Sequence, residues 1–521
     1  MTKEKVLLTG ASGSMGHRAF KELWKRKNTF DIVLLLRPSE KNIALFAPYL
    51  DGARVDGPGV ASYQQGALKI VWGDATHYAD ILTACEGVDI VLNPMAFIAP
   101  AADLDPVSAQ AVNTTAVQYL VDAVKAQPNG AQHIRFIHIG SVAQYGDRQA
   151  PVHMIRTGDP LVPSIFDFYA TTKIAGEKIV IESGIKHWVS LRQTFITIPD
   201  FFTALMDPIM FHQPVHTAIE MNTSNDAGRG LVNALDVPRE SNFWGNVYNM
   251  AGGPSCRFVT IDYFARMFSE LGLGDYRQIF ERKWFALRNF HCGWFADSDK
   301  LNEYLDFWRE DTDDHFAQVH AYMTELAAEM DAAGTPMPDM SPQGVRSMVE
   351  SLANSVTGTK HWRENNMAQR MSAFYGSAVA YDNIPGWDVD MPPRPDDFEP
   401  TLLDHGYDEF KPQLDLGDLQ GAAEFRGGKL LSTQWDGDNA AILNWQDAEG
   451  HEFQGSVNLI LKAGHWSPHE SAPGWDFDRV AARNPFFAQV WSSQHTSEER
   501  HFYAENCYKD VIEEEKAAAA V

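Results

Sequence analysis

The sequence predicts a doubly wound, largely parallel α/β sheet, followed by a helical extension and a small aromatic-rich module. Three observations carry that expectation. Short apolar strands alternate with helical stretches through the first half of the chain. The first strand breaks into glycines just where a helix should start. At 521 residues the chain is too long for one such unit, so added structure is expected.

Taken in order, Val6-Leu-Leu8 reads as a buried strand and Ser14 to Lys25 as the helix after it. Asp31–Leu36, Lys69–Trp72 and Val88–Leu92 read as further strands. A helix from about Val107 to Ala126 carries Asn113 and leads into the strand His133–Ile139. Gly245–Gly252 reads as a late strand returning to the same edge, and Phe264–Leu271 and Ser298–Phe307 as helices of a smaller capping part. His315–Met330 is amphipathic, with Phe316, Val319, Met323 and Leu326 on one stripe and its histidines expected to face solvent. The first unit is placed at 1–330. A helical extension and linker follow at 331–415, with Gly334–Pro342 as the linker, helices at Val345–Ser355 and His361–Phe374, and a Pro/Asp-rich extended stretch at Ile384–Pro400. The module is placed at 416–521, with few helical patterns and Trp435, Trp445, Trp466, Trp475 and Trp491. The terminal Glu513–Val521 is expected to be a helical fray.

The glycine run is Thr9-Gly10-Ala-Ser12-Gly13-Ser14-Met15-Gly16. Gly10 permits a tight turn, Gly13 leaves room for a pyrophosphate to approach the backbone, and Gly16 lets the helix pack closely on the strand. The helix N-terminus attracts phosphate charge. Thr9 through Gly16 are therefore expected to cradle a dinucleotide. Where an acidic residue would hold a ribose 2′-hydroxyl, this chain has Arg37, which suits a 2′-phosphate, so NADP(H) is expected over NAD(H). Asp74 and Ala75 are placed at the adenine, Ala96 along the ribose and pyrophosphate, and Asn113 beside the cofactor as an anchor or proton relay.

Ser141 ends the strand before the helix that carries Tyr169-Ala-Thr-Thr-Lys173. Hydride addition to a carbonyl leaves charge on oxygen, which needs a proton donor. Tyr169 is the expected general acid/base. Lys173, one turn away, is expected to lower its pKa and to bind the nicotinamide ribose, and Ser141 to orient the substrate oxygen.

The ordered set Thr9-Gly10-x-x-Gly13-x-x-Gly16, Gly73-Asp74, Ile137–Gly146, Tyr169-x-x-x-Lys173, Leu191-Arg192 and Val247-Tyr-Asn249 resembles the extended short-chain dehydrogenase/reductase superfamily, the NAD-dependent epimerase/dehydratase-like group, over roughly the first half of the chain. The resemblance implies a Rossmann-type sheet and a nicotinamide-dependent enzyme acting on a small molecule. It also implies a homodimer, whose usual contact the long extension is in a position to cover. Nucleotide-sugar members typically carry an asparagine where this chain has Phe195. With Phe97, Gln144, Met206 and Met210, Phe195 is expected to line the substrate site, an apolar surface suited to a neutral, hydrophobic carbonyl or hydroxyl compound. The expected activity is therefore that of a carbonyl reductase or alcohol dehydrogenase. The alternatives are a nucleotide-sugar epimerase or dehydratase that retains its cofactor, and a non-catalytic NADP(H) sensor.

Phe425-Arg-Gly-Gly428, Gly450-His-Glu-Phe453 and Gly464-His-Trp-Ser-Pro468 resemble a small zinc-finger-like module. In the metal-binding form cysteines would stand near Leu430, Asp447, Ser467 and Glu470, and none of these supplies a thiolate or imidazole. His451, His465 and His469 are the alternative ligands, but isolated histidines more often hydrogen-bond within a folded module, so no metal is expected and a tryptophan core is expected to hold the module instead. The net charge of −26 disfavours nucleic acid and anionic membrane surfaces. The four cysteines have neither disulfide nor metal spacing, and no stretch is long and apolar enough for a bilayer. The first residues lead straight into a core strand, so a cytoplasmic protein is expected.

Overall fold

The computed structural model describes residues 3–50, 63–389 and 391–512. The helical end expected at Glu513–Val521 lies outside them. The central sheet is built from β1 (Glu4–Leu8), β2 (Phe30–Leu36), β3 (Tyr63–Gln65), β4 (Leu68–Trp72), β5 (Ile90–Asn93), β6 (Arg135–Ser141), β7 (His187–Gln193) and β8 (Asn246–Met250). Its spatial order is β8-β7-β6-β5-β1-β2-β4-β3, and every pairing is parallel except β3 on β4. The order reverses between β1 and β5, which opens a crevice at the carboxyl edge of the strands.

The strands are near-continuous apolar runs because both faces are covered. Val6, Leu8, Ile32 and Leu34 pack on one face, and Leu7, Val33, Leu35 and Val71 on the other. The first face takes α1 (Ser14–Lys25), through Ala19, Phe20 and Leu23. The second takes α2 (Tyr78–Ala84), α3 (Ala116–Ala126) and α4 (Phe168–Ile181). The first face is completed by α5 (Ser224–Asn233), through Ala227 and Leu231. The stretch expected as one helix up to Ala126 holds a π turn at Ala111–Thr115, with Asn113 in its middle.

The cap lies around Phe211, Phe268, Phe280 and Trp284, and its core extends to Val345 and Val349 of the extension. The helix predicted at His315–Met330 runs over Thr312–Ala332 with Phe316 and Val319 buried as expected. His315 departs from expectation: it is buried, and its Nε2 pairs with the Tyr263 hydroxyl at 2.9 Å. The apolar face is wider than one stripe, because Tyr263 stacks on the flank next to Phe316. The helix expected at His361–Phe374 is two, Thr359–Glu364 and Ala368–Tyr375, broken where Asn366 adopts φ +54°.

The module begins with a helix, Leu416–Phe425, and carries another at Pro485–Trp491, so it holds more helix than its composition suggests. Between them, β9 (Lys429–Leu430), β10 (Ile442–Gln446) and β11 (Glu452–Ser456) form an antiparallel sheet. Trp445 is fully buried and meets Trp466 edge-on, and Phe453 does the same. The module does not stand apart: Leu443, Trp445, Leu459 and Leu461 join the cluster that contains Val117 and Leu120 of α3. The positions discussed for zinc ligands lie close together without a thiolate. The Asp447 carboxylate accepts from the Ser467 hydroxyl at 2.7 Å and pairs with His451 Nδ1 at 3.0 Å. Among the described residues no group of His, Cys, Asp and Glu has the form of a metal site.

Glu470 accepts from Asn484 at 2.8 Å, and burial, aided by Asp447 and Glu449, pushes its carboxyl up to about 7. A carboxyl whose folded pKa lies above its unfolded value is stabilising when protonated, and that stability is lost as pH rises from about 4.5 through 7. Glu470→Gln keeps the acceptor and removes the charge. It is expected to match wild type at pH 5 and to exceed it by on the order of 1–3 kcal/mol at pH 8. Denaturant melts at the two pH values check this, and equal stability at pH 8 would refute it.

Candidate active site

The turn after β1 is shaped for close approach. Gly10 has φ +60°, and a Cβ there would lie 2.8 Å from the Met95 Cα. At Gly16 a Cβ would lie 2.1 Å from the Gly10 carbonyl oxygen, so the helix can seat on the strand only with glycine. Gly13 differs, since a Cβ there would meet the Gly10 carbonyl oxygen at an ordinary 3.5 Å. The protein itself does not demand glycine at 13, which fits a position kept bare for a ligand. Gly13 caps α1 without a side-chain hydrogen bond, and Gly13 and Ser14 are exposed, so the amides of the first turn are open to a pyrophosphate. Thr9 and Met15 are buried. The Thr9 hydroxyl is held by Asn93 at 2.6 Å and Met15 packs in the core, so neither side chain faces the ligand edge.

Beyond the turn, Ser12, Arg37, Ser39, Lys41, Asn42, Asp74 and His77 line a crevice of about 610 Å³. Ser39 caps the helix that follows, Asn42 Nδ2 donates to the Arg37 carbonyl at 2.8 Å, and Arg37 is exposed. Burial pushes Asp74 up, but the two hydrogen bonds from Thr76, together with Arg37, hold it below the usual carboxylate range. Ala75 and Ala96 are half-buried along the same edge. Asn113 is buried and fully engaged: it accepts from Phe97 N at 2.8 Å, donates to Phe97 O at 2.9 Å, and reaches Thr172 Oγ1 at 3.0 Å. It clamps the loop after β5 to α4, and Phe97 is held by its backbone.

Ser141 ends β6, and α4 brings Tyr169 beside it, close enough for Ser141 to lower the phenol's pKa. Asp167 caps α4 by accepting from Ala170 N at 2.7 Å, and Asp103 accepts from Tyr169 N at 3.0 Å. Burial pushes the Tyr169 phenol up to about 12, opposed by Ser141 and reinforced by Asp167 and Asp103. The expectation that Lys173 lowers this pKa is not met in the protein alone, because the Lys173 ammonium is turned to the Ile139 carbonyl at 2.5 Å. Burial itself brings Lys173 down to about 8.

Gln144, expected on the substrate side, faces the other way. Its Oε1 accepts from Ser141 N at 2.8 Å and its Nε2 donates to Glu177 at 3.1 Å. Glu177 is one turn beyond Lys173, fully buried, and held by Arg192 Nε at 3.1 Å and by Ser190 Oγ at 2.7 Å. Burial pushes Glu177 up, yet Arg192 and His465 hold its carboxyl well below the usual range. Met210, also expected to line the site, is buried in the cap core beside Phe211. Phe195 and Met206 are exposed, at 41% and 44%. The residues that sequence reasoning left out are Asp103, Asp167, Glu177 and His465. Of these only Glu177 had a local signal, its place four residues after Lys173.

Residues 6–193 match the NAD dependent epimerase/dehydratase family. No curated protein matches the chain. Among solved structures, a dTDP-glucose 4,6-dehydratase from Bacillus anthracis str. Ames, in complex with NAD, is 14% identical, covering 63% of this chain and 98% of its own, with a TM-score of 0.46. A double mutant of the same kind of enzyme from Streptomyces venezuelae, with NAD bound, is 18% identical over 62% of this chain and 98% of its own, with a TM-score of 0.47. A Bordetella bronchiseptica enzyme in complex with NAD+ is 17% identical over 62% and 99%, with a TM-score of 0.43. The segment that matches the NAD dependent epimerase/dehydratase family, 6–193, holds the glycine turn and the Ser141, Tyr169 and Lys173 set.

Proposed function

We propose that the chain is a nicotinamide-dependent oxidoreductase that interconverts a carbinol and a carbonyl, used for epimerisation or dehydration of a nucleotide sugar through a transient ketone with the cofactor retained. The observation that carries the redox step is the placement of Tyr169 beside Ser141 at the carboxyl end of β6, near enough for Ser141 to lower the phenol's pKa, one turn from the buried Lys173. The family match of the same segment favours the sugar substrate over a free ketone. A nicotinamide bound along the Gly10–Gly16 turn supplies the hydride acceptor and donor. Ser141 holds the substrate oxygen, and Tyr169 Oη takes its proton on oxidation and returns it on reduction. With burial pushing it up to about 12, the Tyr169 phenol rests protonated, the form that returns the proton in the reduction, and it must first ionise to take the carbinol proton in the opening oxidation. Lys173 carries a cation that suits the ribose hydroxyls.

A second reading, a carbonyl reductase for a neutral apolar compound, draws on the exposed Phe195 and Met206. The two separate on one assay: UDP- and dTDP-hexoses with catalytic cofactor, against hydrophobic ketones with NADPH in stoichiometric amount. A changed sugar without net cofactor consumption supports the first. Ketone-dependent NADPH loss supports the second. Cofactor binding with neither would overturn both and leave the sensor.

Arg37, Ser39 and Lys41 around the crevice support NADP(H) as the cofactor. Arg37→Ala is expected to weaken NADPH binding about 10- to 100-fold and NADH binding less than about 2-fold, since a charge-assisted contact is worth roughly 1.5–3 kcal/mol. Fluorescence titration with both cofactors reads the result, and an equal loss for both would assign Arg37 no part in the choice.

A further inference from the structure

The C-terminal module reaches the back of the catalytic centre. The Ala463 carbonyl accepts from Arg192 Nη2 at 2.6 Å, and His465 Nε2 lies 2.9 Å from Glu177 Oε1. Between them Gly464 adopts φ +75°, and a Cβ there would lie 2.0 Å from the carbonyl oxygen of Asp159, in the loop joining β6 to α4. Only glycine allows the module to approach that loop so closely. The side chains of His465, Glu177, Arg192 and Gln144 are all shut off from solvent.

The proton positions follow from the chemistry. Glu177 is held ionised, so it can only accept. Burial holds His465 below its usual pKa, so the ring is neutral, and its one N–H must sit on Nε2 and point at Glu177. Glu177 Oε1 thus receives His465, Arg192 and the Gln144 amide together. The same Gln144 side chain accepts the Ser141 backbone N–H. Removing one donor from a buried carboxylate makes the remaining donors shift toward it, and the Gln144 amide is a rotatable member of that set.

We propose that His465 is a positioning residue for Ser141, a donor delivered by the C-terminal module that fixes Glu177 and Gln144 and through them the end of β6. The catalytic strand end is therefore set only when the module is docked. This rests on the role given to Ser141 above. It gives the module a task that its lack of metal ligands and its separation in sequence do not suggest.

The test uses His465→Ala and His465→Gln in the full chain, because a glutamine amide can place a neutral donor near the Nε2 position. His465→Ala is expected to lower kcat about 10-fold or more, as sub-ångström misplacement of a reacting group does, with KM and cofactor affinity within about 2-fold. His465→Gln is expected to recover to within about 3-fold of wild type. Hydrogen exchange of the segment 139–146 is expected to be faster in the alanine variant and near wild type in the glutamine variant, with β2 unchanged in both. An unchanged kcat, a loss shared equally by the glutamine variant, or unaltered exchange at 139–146 would overturn the proposal. Should wild type turn over nothing in the substrate assay, the proposed function fails, and the exchange measurement alone decides the role of His465.

Discussion

Tyr169→Phe is expected to turn over substrate about 10²- to 10⁴-fold more slowly than wild type while binding cofactor within about 2-fold of it. The phenylalanine keeps the ring and removes only the hydroxyl, so the packing of α4 is undisturbed. Its backbone N–H still donates to Asp103, and Asp167 still caps the helix. The loss should therefore fall on kcat, because without Oη no group beside Ser141 exchanges a proton with the substrate oxygen. The protein-alone pKa of about 12 fixes a further outcome. Oxidation needs the phenol to accept a proton after ionising, so the oxidative direction should speed up as pH rises, and reduction should not. Single-turnover measurements in both directions across pH 6 to 9 read this, and a variant with full activity would dismiss Tyr169 as the acid/base.

The parts of this site that were legible in the sequence are those whose geometry is local. A glycine turn between a strand and a helix fixes its own shape, and Tyr169 and Lys173 share a face because four residues make about one turn. Ser141 was readable because a strand end at the carboxyl edge has few places to point. Gln144 was not, because spacing cannot say whether an amide faces the substrate or the strand behind it. Met210 reads as a lining residue by composition, yet the cap folds it against Phe211. His315 was read from one stripe, and the stacking of Tyr263 widened the buried face. His465 lies 288 residues from Glu177, a contact that no periodicity announces. The same limit hid how the module is held. Composition announced the tryptophans, but not that Trp445 and Trp466 join the cluster around α3 while Trp475 and Trp491 join another with Phe168 and Trp362, nor the Asp447–Ser467 hydrogen bond where cysteines would otherwise stand.

Arg192→Leu is expected to destabilise the chain by roughly 3–5 kcal/mol, the largest stability loss of any single change considered. Arg192 and Glu177 are both fully buried, and removing the guanidinium leaves a buried carboxylate without its cation. The damage spreads in two directions, because Arg192 also donates to the Tyr145 hydroxyl at 2.8 Å and to the Ala463 carbonyl at 2.6 Å. Tyr145 passes its own hydrogen to Asn249 at 2.8 Å, which ties β8 into the same network. Replacing both partners with leucine should cost less than the single change, since no charge is then left unpaired. The sign of the pH effect is fixed as well. Glu177 is held below its unfolded pKa, so the stability it adds is present above about pH 4.5 and is lost as pH falls through its folded value. In Arg192→Leu that acid-side loss should disappear, because the carboxyl no longer has a cation to keep it ionised. Denaturant melts of wild type, the single and the double variant from pH 8 down through the acid range below about pH 4.5 decide it. A single variant within about 1 kcal/mol of wild type would mean that the pair is not the keystone joining α4, β7 and the module.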